Sequence, residues 1–572
     1  MAFLQGVKHR MKECNRELRR KTILAKLHYK NKVEEKFTTG NAREAWQGLN
    51  TMMGRAQKPA LIQCSDPATF AEQLNTYYSR FNMPHPQNDW TLTSNSSLTV
   101  DKGKVTSMLG RINPHKASGP DRLRGKVLRE CSAQLGDVIT RLFQHLLDSS
   151  CVPRMWKEST LIPVPKRANV REMKDFRPVA LTSILSKCME RVVCDHLTSM
   201  VVDKLDPLQF SYKAKRGVED ACLTLLDTVC RQLDSPHSHT QILFMDFSSA
   251  FNTVNPATLC NRLLDLQVHP SLILWIEDFL QDRSQHVVVN GFKSKNMILN
   301  TGVPQGCVLS PILFSIYTNN ITNNNSDIPL FKYADDMALV ADIKDHSSLA
   351  AYYQQVNTLM QWIKESSLEL NISKTKELCC GGRQTSSPQP LFEPLRLNGQ
   401  TVEQVEAFRY LGTDMDTHLS FSQHTDSMYK KAQQRLFLLR KLRSFDVKQD
   451  ILTAVYKSLI ESVLTFNITS WFTLTSVKNK SKLSRIVNQG SKITGKTQIQ
   501  LSVPHSQAVK RKAHLITQDP THPLHKSFQL LPSGRRYRVP LSRHNIQINP
   551  EALSLYTYPQ LLSCSFLLSI LV

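Results

Sequence analysis

No C-x-x-C pair occurs among the thirteen cysteines of this chain of 572 residues, and only Cys379 and Cys380 are adjacent. That scatter argues against a zinc knuckle or ribbon and against a disulfide framework, and it suits a reducing compartment. The amino terminus, MAFLQGVKHRMKE, lacks the apolar core of a secretory signal. No run reaches the roughly 18–20 apolar residues needed to span a bilayer, so no membrane is expected as a partner. No internal repeat is present. Acids are scarce: 48 Asp+Glu stand against 72 Lys+Arg, a formal charge of +24.

The positive excess is uneven. Residues 1–40 hold eleven Lys/Arg against four acids, and residues 501–550 hold eight against one. Clustered charge of this size suits a phosphate backbone, whose condensed counterions are released as phosphates are neutralised. Hydrophobic residues make up 41% of the chain, enough for a sizeable core, and the length predicts three or four units.

Residues 7–37 read as a polar helix or two, and Ala42–Met53 as a further short helix carrying Trp46. Gln87–Ser97 reads as a linker. From about 98 to 380, helical and strand periodicities alternate, predicting one mixed α/β body closed by the Gly381–Pro390 cluster. Residues 422–470 read as helices whose apolar positions are Leu436, Leu439, Leu442, Ile451, Val455, Leu459 and Val463. Lys430, Lys431, Arg435, Arg440, Lys441 and Arg443 line their polar faces. Past 501, Pro and His are frequent and periodicity fades. The terminal LLSCSFLLSILV is expected to be a translated scar or a truncated reading frame, or else a short buried strand or helix.

The chemistry concentrates in carboxylates. In Leu330–Ala341, LFKYADDMALVA, two apolar arms flank Asp335 and Asp336, so a β-hairpin would present both at its tip. Acids beside apolar strands usually face a cation, although Asp-Asp in a plain turn is commonplace. Upstream, Asp246 ends the apolar run Ile242–Met245. Bringing Asp246 beside the hairpin would make an oxygen-rich site suited to Mg²⁺, which takes few carboxylates and completes its shell with phosphate and water. Two such ions about 4 Å apart activate a hydroxyl and stabilise a leaving pyrophosphate. Between these acids lies GVPQGCVLSP, residues 302–311. Gly302 and Gly306 there let backbone approach a ligand, and Gln305 can both donate and accept. In isolation this piece reads by default as an ordinary Gly-Pro loop opening a helix.

Eight segments in order carry a resemblance: NPHKASGPD at 113–121, LIPVPK with KDFRPVALTS at 161–183, QFSYKAKRG at 209–217, DFSSAFNT at 246–253, GVPQGCVLSP at 302–311, YADD at 333–336, LNISKTK at 370–376 and FRYLG at 408–412. From Asn113 to Leu419 the chain resembles the fingers–palm domain of reverse transcriptases, specifically the non-LTR (LINE-type, jockey-like) branch. The resemblance implies an α+β right-hand polymerase. Its expected parts are a basic helical extension at 1–97, fingers and palm at 98–420, a helical thumb at 421–500, and a poorly ordered basic region with an apolar tail at 501–572.

It also implies roles. Asp246 and Asp335 are the expected metal ligands, with Asp336 beside them, for two Mg²⁺ ions that Mn²⁺ can replace. Phe251 falls where a bulky ring would clash with a ribose 2′-hydroxyl, though it could equally be a core aromatic. Gln305 and Gly306 would lie near the incoming nucleotide. Lys166 and Arg177 match positions that clamp the triphosphate, Arg being suited by its bidentate fork. Lys374 would neutralise or protonate the departing pyrophosphate, and Tyr410 and Gly412 would form a primer grip. The expected partners are template RNA, primer or target DNA and dNTPs. The expected locations are nucleus and cytoplasm, Arg19-Arg20-Lys21 and Arg535-Arg536 being either import signals or RNA contacts. Longer relatives carry an apurinic-type endonuclease ahead of this region. The sequence is therefore expected to be a fragment that does not nick its own target. The competing expectation is an inactive or co-opted RNA-binding remnant.

Overall fold

The run Ile242–Met245 has no polar alternation, and the strand His239–Met245 that contains it is buried on both faces. It forms the centre of a five-stranded sheet. Asp336–Ile343 and Leu330–Tyr333 extend the sheet on one side, and Lys376–Gly381 and Glu403–Gln404 extend it on the other. The central strand is antiparallel to both neighbours, pairing Met245 with Met337 and Leu243 with Glu377. Helices Val218–Leu233 and His346–Glu365 pack on this sheet. Leu243, Leu339, Leu313 and Phe314, each 0% exposed, belong to the core formed there.

A second sheet orders Phe176–Leu181, Glu158–Pro165, Arg283–Val289 and Phe292–Lys293, with Met297–Leu299 also on the third strand. Val164 pairs with Arg177 across its first two strands. Helix Pro67–Tyr78 lies against Arg283–Val289, begun by an Asp66 side chain that accepts from the Ala68 N–H at 3.0 Å.

The computed structural model describes residues 2–38, 42–52, 62, 64–84, 98–166, 170, 172–235, 238–321, 327–381, 394–529 and 532. The expected linker at 87–97, the cluster at 382–390, Arg535-Arg536 and the apolar tail lie outside them. Contacts divide the chain into two units, Ile62–Glu406, and Met1–Leu61 with Ala407–Val572. The sheets above belong to the first, an α+β unit.

In the second unit, the amino-terminal segment is one helix, Ala2–Thr38, rather than two. Its Tyr29 ring meets Phe445 at 4.9 Å and Lys30 reaches Asp446 at 2.9 Å. The hairpin Ala407–Tyr410/Thr413–Asp416 packs against helix Ser422–Ser444. The apolar stripe read at 451, 455, 459 and 463 is only partly the buried one. Of the four only Val455 is buried, together with Leu452, Tyr456, Ile460 and Leu464. The buried face is set one residue on from the expected one already at Leu452, ahead of the π-turn at Lys457–Glu461. Ser502–Thr517 is a helix with Val509, Ala513 and Ile516 buried, although its sequence looked irregular. Among the described residues no helix is long and apolar enough to cross a membrane.

Candidate active site

Tyr333 pairs with Asp336, leaving only Ala334 and Asp335 to turn the chain. Such a tight connection needs a positive φ, and Ala334 takes it at +57°. Alanine pays for that conformation about 1–2 kcal/mol. The tip is held from outside: the Ala334 N–H donates to Ser211 Oγ at 2.7 Å, and that hydroxyl donates to Gln209 Oε1 at 3.0 Å. Behind the tip, the fully buried Lys332 places Nζ 2.5 Å from Asp206 and 3.2 Å from the Thr318 carbonyl. The 209–217 segment thus anchors the hairpin, bridging Gln209 to Lys332.

Asp246 stands one residue past the last rung, Met245–Met337, so the register sets it across from Asp336. Its carbonyl accepts the Asn371 N–H at 2.8 Å, and its carboxylate takes Lys374 Nζ at 2.9 Å. Burial and the Asp246 charge raise Asp335, opposed by Arg177 and Lys374. Loss of water around the tip, then Asp335 and Asp246, push Asp336 up to about 6. These carboxylates feel one another, and ionising all of them is unfavourable without added positive charge.

Lys166 and Arg177 come from the second sheet. Lys166 donates to the Lys174 carbonyl at 2.7 Å. Burial lowers its pKa, as do Lys374 and Arg177, while Asp175 and Asp246 act the other way. The two strands therefore bring these cations into the electrostatic neighbourhood of Asp246 and Asp335. Gln305 turns its carbonyl to the Ala180 N–H at 3.1 Å and its amide toward Asn252 at 3.4 Å. Gly306, at φ +107°, lies next to it. Phe251 is half-buried and stacks on Phe314 with centroids 4.8 Å apart, so it has a packing role whatever else it does.

Tyr410 and Gly412 lie in the other unit. They belong to a hairpin in which Tyr410 pairs with Thr413, and both loop residues, Leu411 and Gly412, have positive φ. Tyr410 is buried, and a Cβ on Gly412 would meet the Phe466 ring at 3.1 Å. Each thus has a structural reason to be there.

Three residues that the sequence reading passed over hold the site: Ser211 and Lys332 under the hairpin, and Asn371 against Asp246. Ser211 lies inside QFSYKAKRG and Asn371 inside LNISKTK, but their partners are distant in sequence. Among the described residues no three carboxylates, imidazoles or thiolates converge closely enough to hold an ion alone. The set fits a magnesium ion through one or two carboxylates completed by phosphate and water.

Residues 164–415 match the family model described as reverse transcriptase (RNA-dependent DNA polymerase), and the fold is accordingly of the right-hand polymerase class. Over 443 residues the chain is 25% identical to the RNA-directed DNA polymerase from mobile element jockey of Drosophila melanogaster, covering 73% of this chain and 45% of that protein. It is 25% identical over 441 residues to the probable RNA-directed DNA polymerase from transposon BS of the same fly, covering 73% and 48%. The Pol polyprotein of type-1 element R1 from Bradysia coprophila is 22% identical over 382 residues, covering 65% and 37%. The chain is thus similar to the reverse transcriptases of non-LTR, LINE-type elements. It spans about half the length of the first two relatives. A short match at 421–462, to the N-terminal region of alkylated DNA repair protein alkB homolog 8, carries no argument about the site.

Proposed function

We propose that this chain is an RNA-directed DNA polymerase that extends a primer 3′-hydroxyl with dNTPs on an RNA template. The observation that carries the reading is the hairpin-tip Asp335 set beside Asp246, with Lys374 at 2.9 Å from the latter. In this reading the central sheet is the palm, the second sheet belongs to the fingers, and the helices after Ser422 form the thumb.

Asp246 and Asp335, with Asp336 beside them, would hold the divalent ions. Bound Mg²⁺ would supply activation of the primer hydroxyl and charge stabilisation on the α-phosphate and pyrophosphate. The rest falls to the chain. Arg177 and Lys166 grip the triphosphate from the fingers strands. Lys374, bonded to Asp246 in the free protein, is placed to balance charge on the departing pyrophosphate. Gln305 orients the base pair, and the Phe251 ring excludes a 2′-hydroxyl. Most of the rate then comes from positioning and preset electrostatics.

Primer extension on an RNA template, with Mg²⁺ and dNTPs, tests this by comparing the wild type with Asp335→Asn. We expect extension by the wild type and a loss of at least about 10³-fold in the variant, with RNA affinity unchanged. No extension by folded, RNA-binding wild type would leave an inactive RNA-binding remnant as the better reading.

A further inference from the structure

The loop that carries Gln305 runs between two buried charges. At its far end, the helix Ser310–Tyr317 starts after Leu309, a residue with no capping side chain. The cap comes from another helix: Glu190, on Ile184–Val201, accepts the Val308 N–H at 2.6 Å and the Leu309 N–H at 3.3 Å through Oε2. Its Oε1 accepts Ser186 Oγ at 3.3 Å, and the residue is 0% exposed. At the near end, Arg283 donates from Nη2 to the Thr301 and Gly302 carbonyls, both at 2.7 Å, and from Nε to Leu280 at 3.0 Å. Arg283 is 8% exposed. Neither charge has a salt-bridge partner among the described residues. Each is satisfied largely by the backbone of this loop or its edge.

Burying a carboxyl or a guanidinium away from water costs several kcal/mol, only part of which Lys187 offsets for Glu190, and an apolar side chain would avoid that cost. A buried carboxylate and a buried guanidinium spent on one short loop therefore indicate that its exact path matters. The loop is also confined sterically. A Cβ on Gly302, at φ +83°, would come within 2.8 Å of the Asn252 backbone. Gly302 N–H and Val303 N–H donate to Val254 and Phe251, both at 2.7 Å. Phe251 and Gln305 are thus fixed through the same short backbone bonds.

We propose that Glu190 and Arg283 are positioning residues for nucleotide selection: they touch no substrate, but clamp the two ends of the 302–309 loop so that Gln305 and Phe251 keep one geometry. This rests on the polymerase reading above. Loosening either clamp should weaken discrimination at the incoming nucleotide more than it slows the step at saturation.

The test is single-nucleotide primer extension by full-length Glu190→Gln and Arg283→Lys, with active-site titration, alongside hydrogen exchange of peptides spanning 302–313. Gln keeps the shape of Glu190 but removes its charge, and Lys keeps the charge of Arg283 but loses its fork. We expect the KM for the correct dNTP to rise about tenfold and misincorporation to rise with it, with kcat per active molecule within about threefold of wild type. Exchange at Val308 and Leu309 should quicken by about tenfold or more in Glu190→Gln. Unchanged KM with only a reduced active fraction would mean a merely structural role and overturn the proposal, as would unchanged loop exchange. If Glu190→Gln does not fold, Arg283→Lys decides by the same criteria. If wild type itself extends nothing, the polymerase reading fails, and the exchange arm still decides whether the clamp exists.

Discussion

Asp206→Asn should expose how the hairpin is held. Lys332 is wholly buried, with Nζ 2.5 Å from Asp206 and 3.2 Å from the Thr318 carbonyl. Burial drives its pKa down, and Asp206 opposes that. Removing the Asp206 charge strands the ammonium in the core, a change that generally costs about 3–5 kcal/mol. Lysine has an exit, because it can lose its proton. From an ordinary value of about 10.4, that costs about 4.6 kcal/mol at pH 7 and about 1.9 kcal/mol at pH 9, which caps the penalty. Asp206→Asn should therefore lose about 3–4 kcal/mol at pH 7 and no more than about 2 kcal/mol at pH 9. Lys332→Met removes the charge itself and leaves mainly the Thr318 carbonyl unpaired, so it should cost about 1–3 kcal/mol at both values. Urea unfolding of the full chain, read by pulsed hydrogen exchange of the 327–343 peptide, isolates the unit concerned. An Asp206→Asn loss that is equal at both pH values, or below about 1 kcal/mol at pH 7, would refute the trapped-charge argument.

Three further outcomes are expected. Asp336 sits above its usual range, so its ionisation opposes folding above about pH 6, while below the ordinary carboxylate range it is neutral in both states. Asp336→Asn should thus raise Tm in metal-free buffer at pH 7 to 8 and do nothing at pH 3.5; a gain of the same size at both would sink this. Ser211→Ala orphans the Ala334 N–H and should cost about 1–3 kcal/mol, slowing extension together with faster exchange at the hairpin tip. Phe251→Val should admit ribonucleotides at least about tenfold better, and should also lower Tm through the lost Phe314 stack. Unchanged dNTP/rNTP selectivity with lowered Tm would make Phe251 a packing residue only.

The hairpin was legible because its signal is local: two apolar arms with nothing acidic between them except the pair at the tip. The central strand was legible for the same reason, since a short run without alternation fits a strand covered on both faces. What supports them was not. Ser211 meets Ala334 across 123 residues, and Glu190 meets Val308 across 118. No periodicity in one segment reports a hydrogen bond in another. Phe251 shows a different limit, because its stack on Phe314 satisfies the packing expectation without testing the steric one. The 451–463 stripe was only partly right because apolar residues lie on both sides of it. Leu452, Ile460 and Leu464 are buried while Ile451, Leu459 and Val463 are only half-buried, and spacing alone does not choose between two stripes one residue apart. The helix at 502–517 was hidden by His, Lys and Pro504, yet Pro504 sits in its first turn, where a missing N–H costs nothing.

The two-residue turn at Ala334–Asp335 makes the length of this segment a conserved quantity of the geometry. Side chains alternate faces along each arm, so adding or deleting a single residue within an arm would invert every position beyond the change. Met337, Leu339 and Ala341 would trade places with their neighbours, and Asp335 would leave the side where Asp246 waits. Substitutions at the apolar positions of the arms can be absorbed one at a time. Insertions and deletions cannot, and the arms should tolerate changes of letter while staying fixed in count.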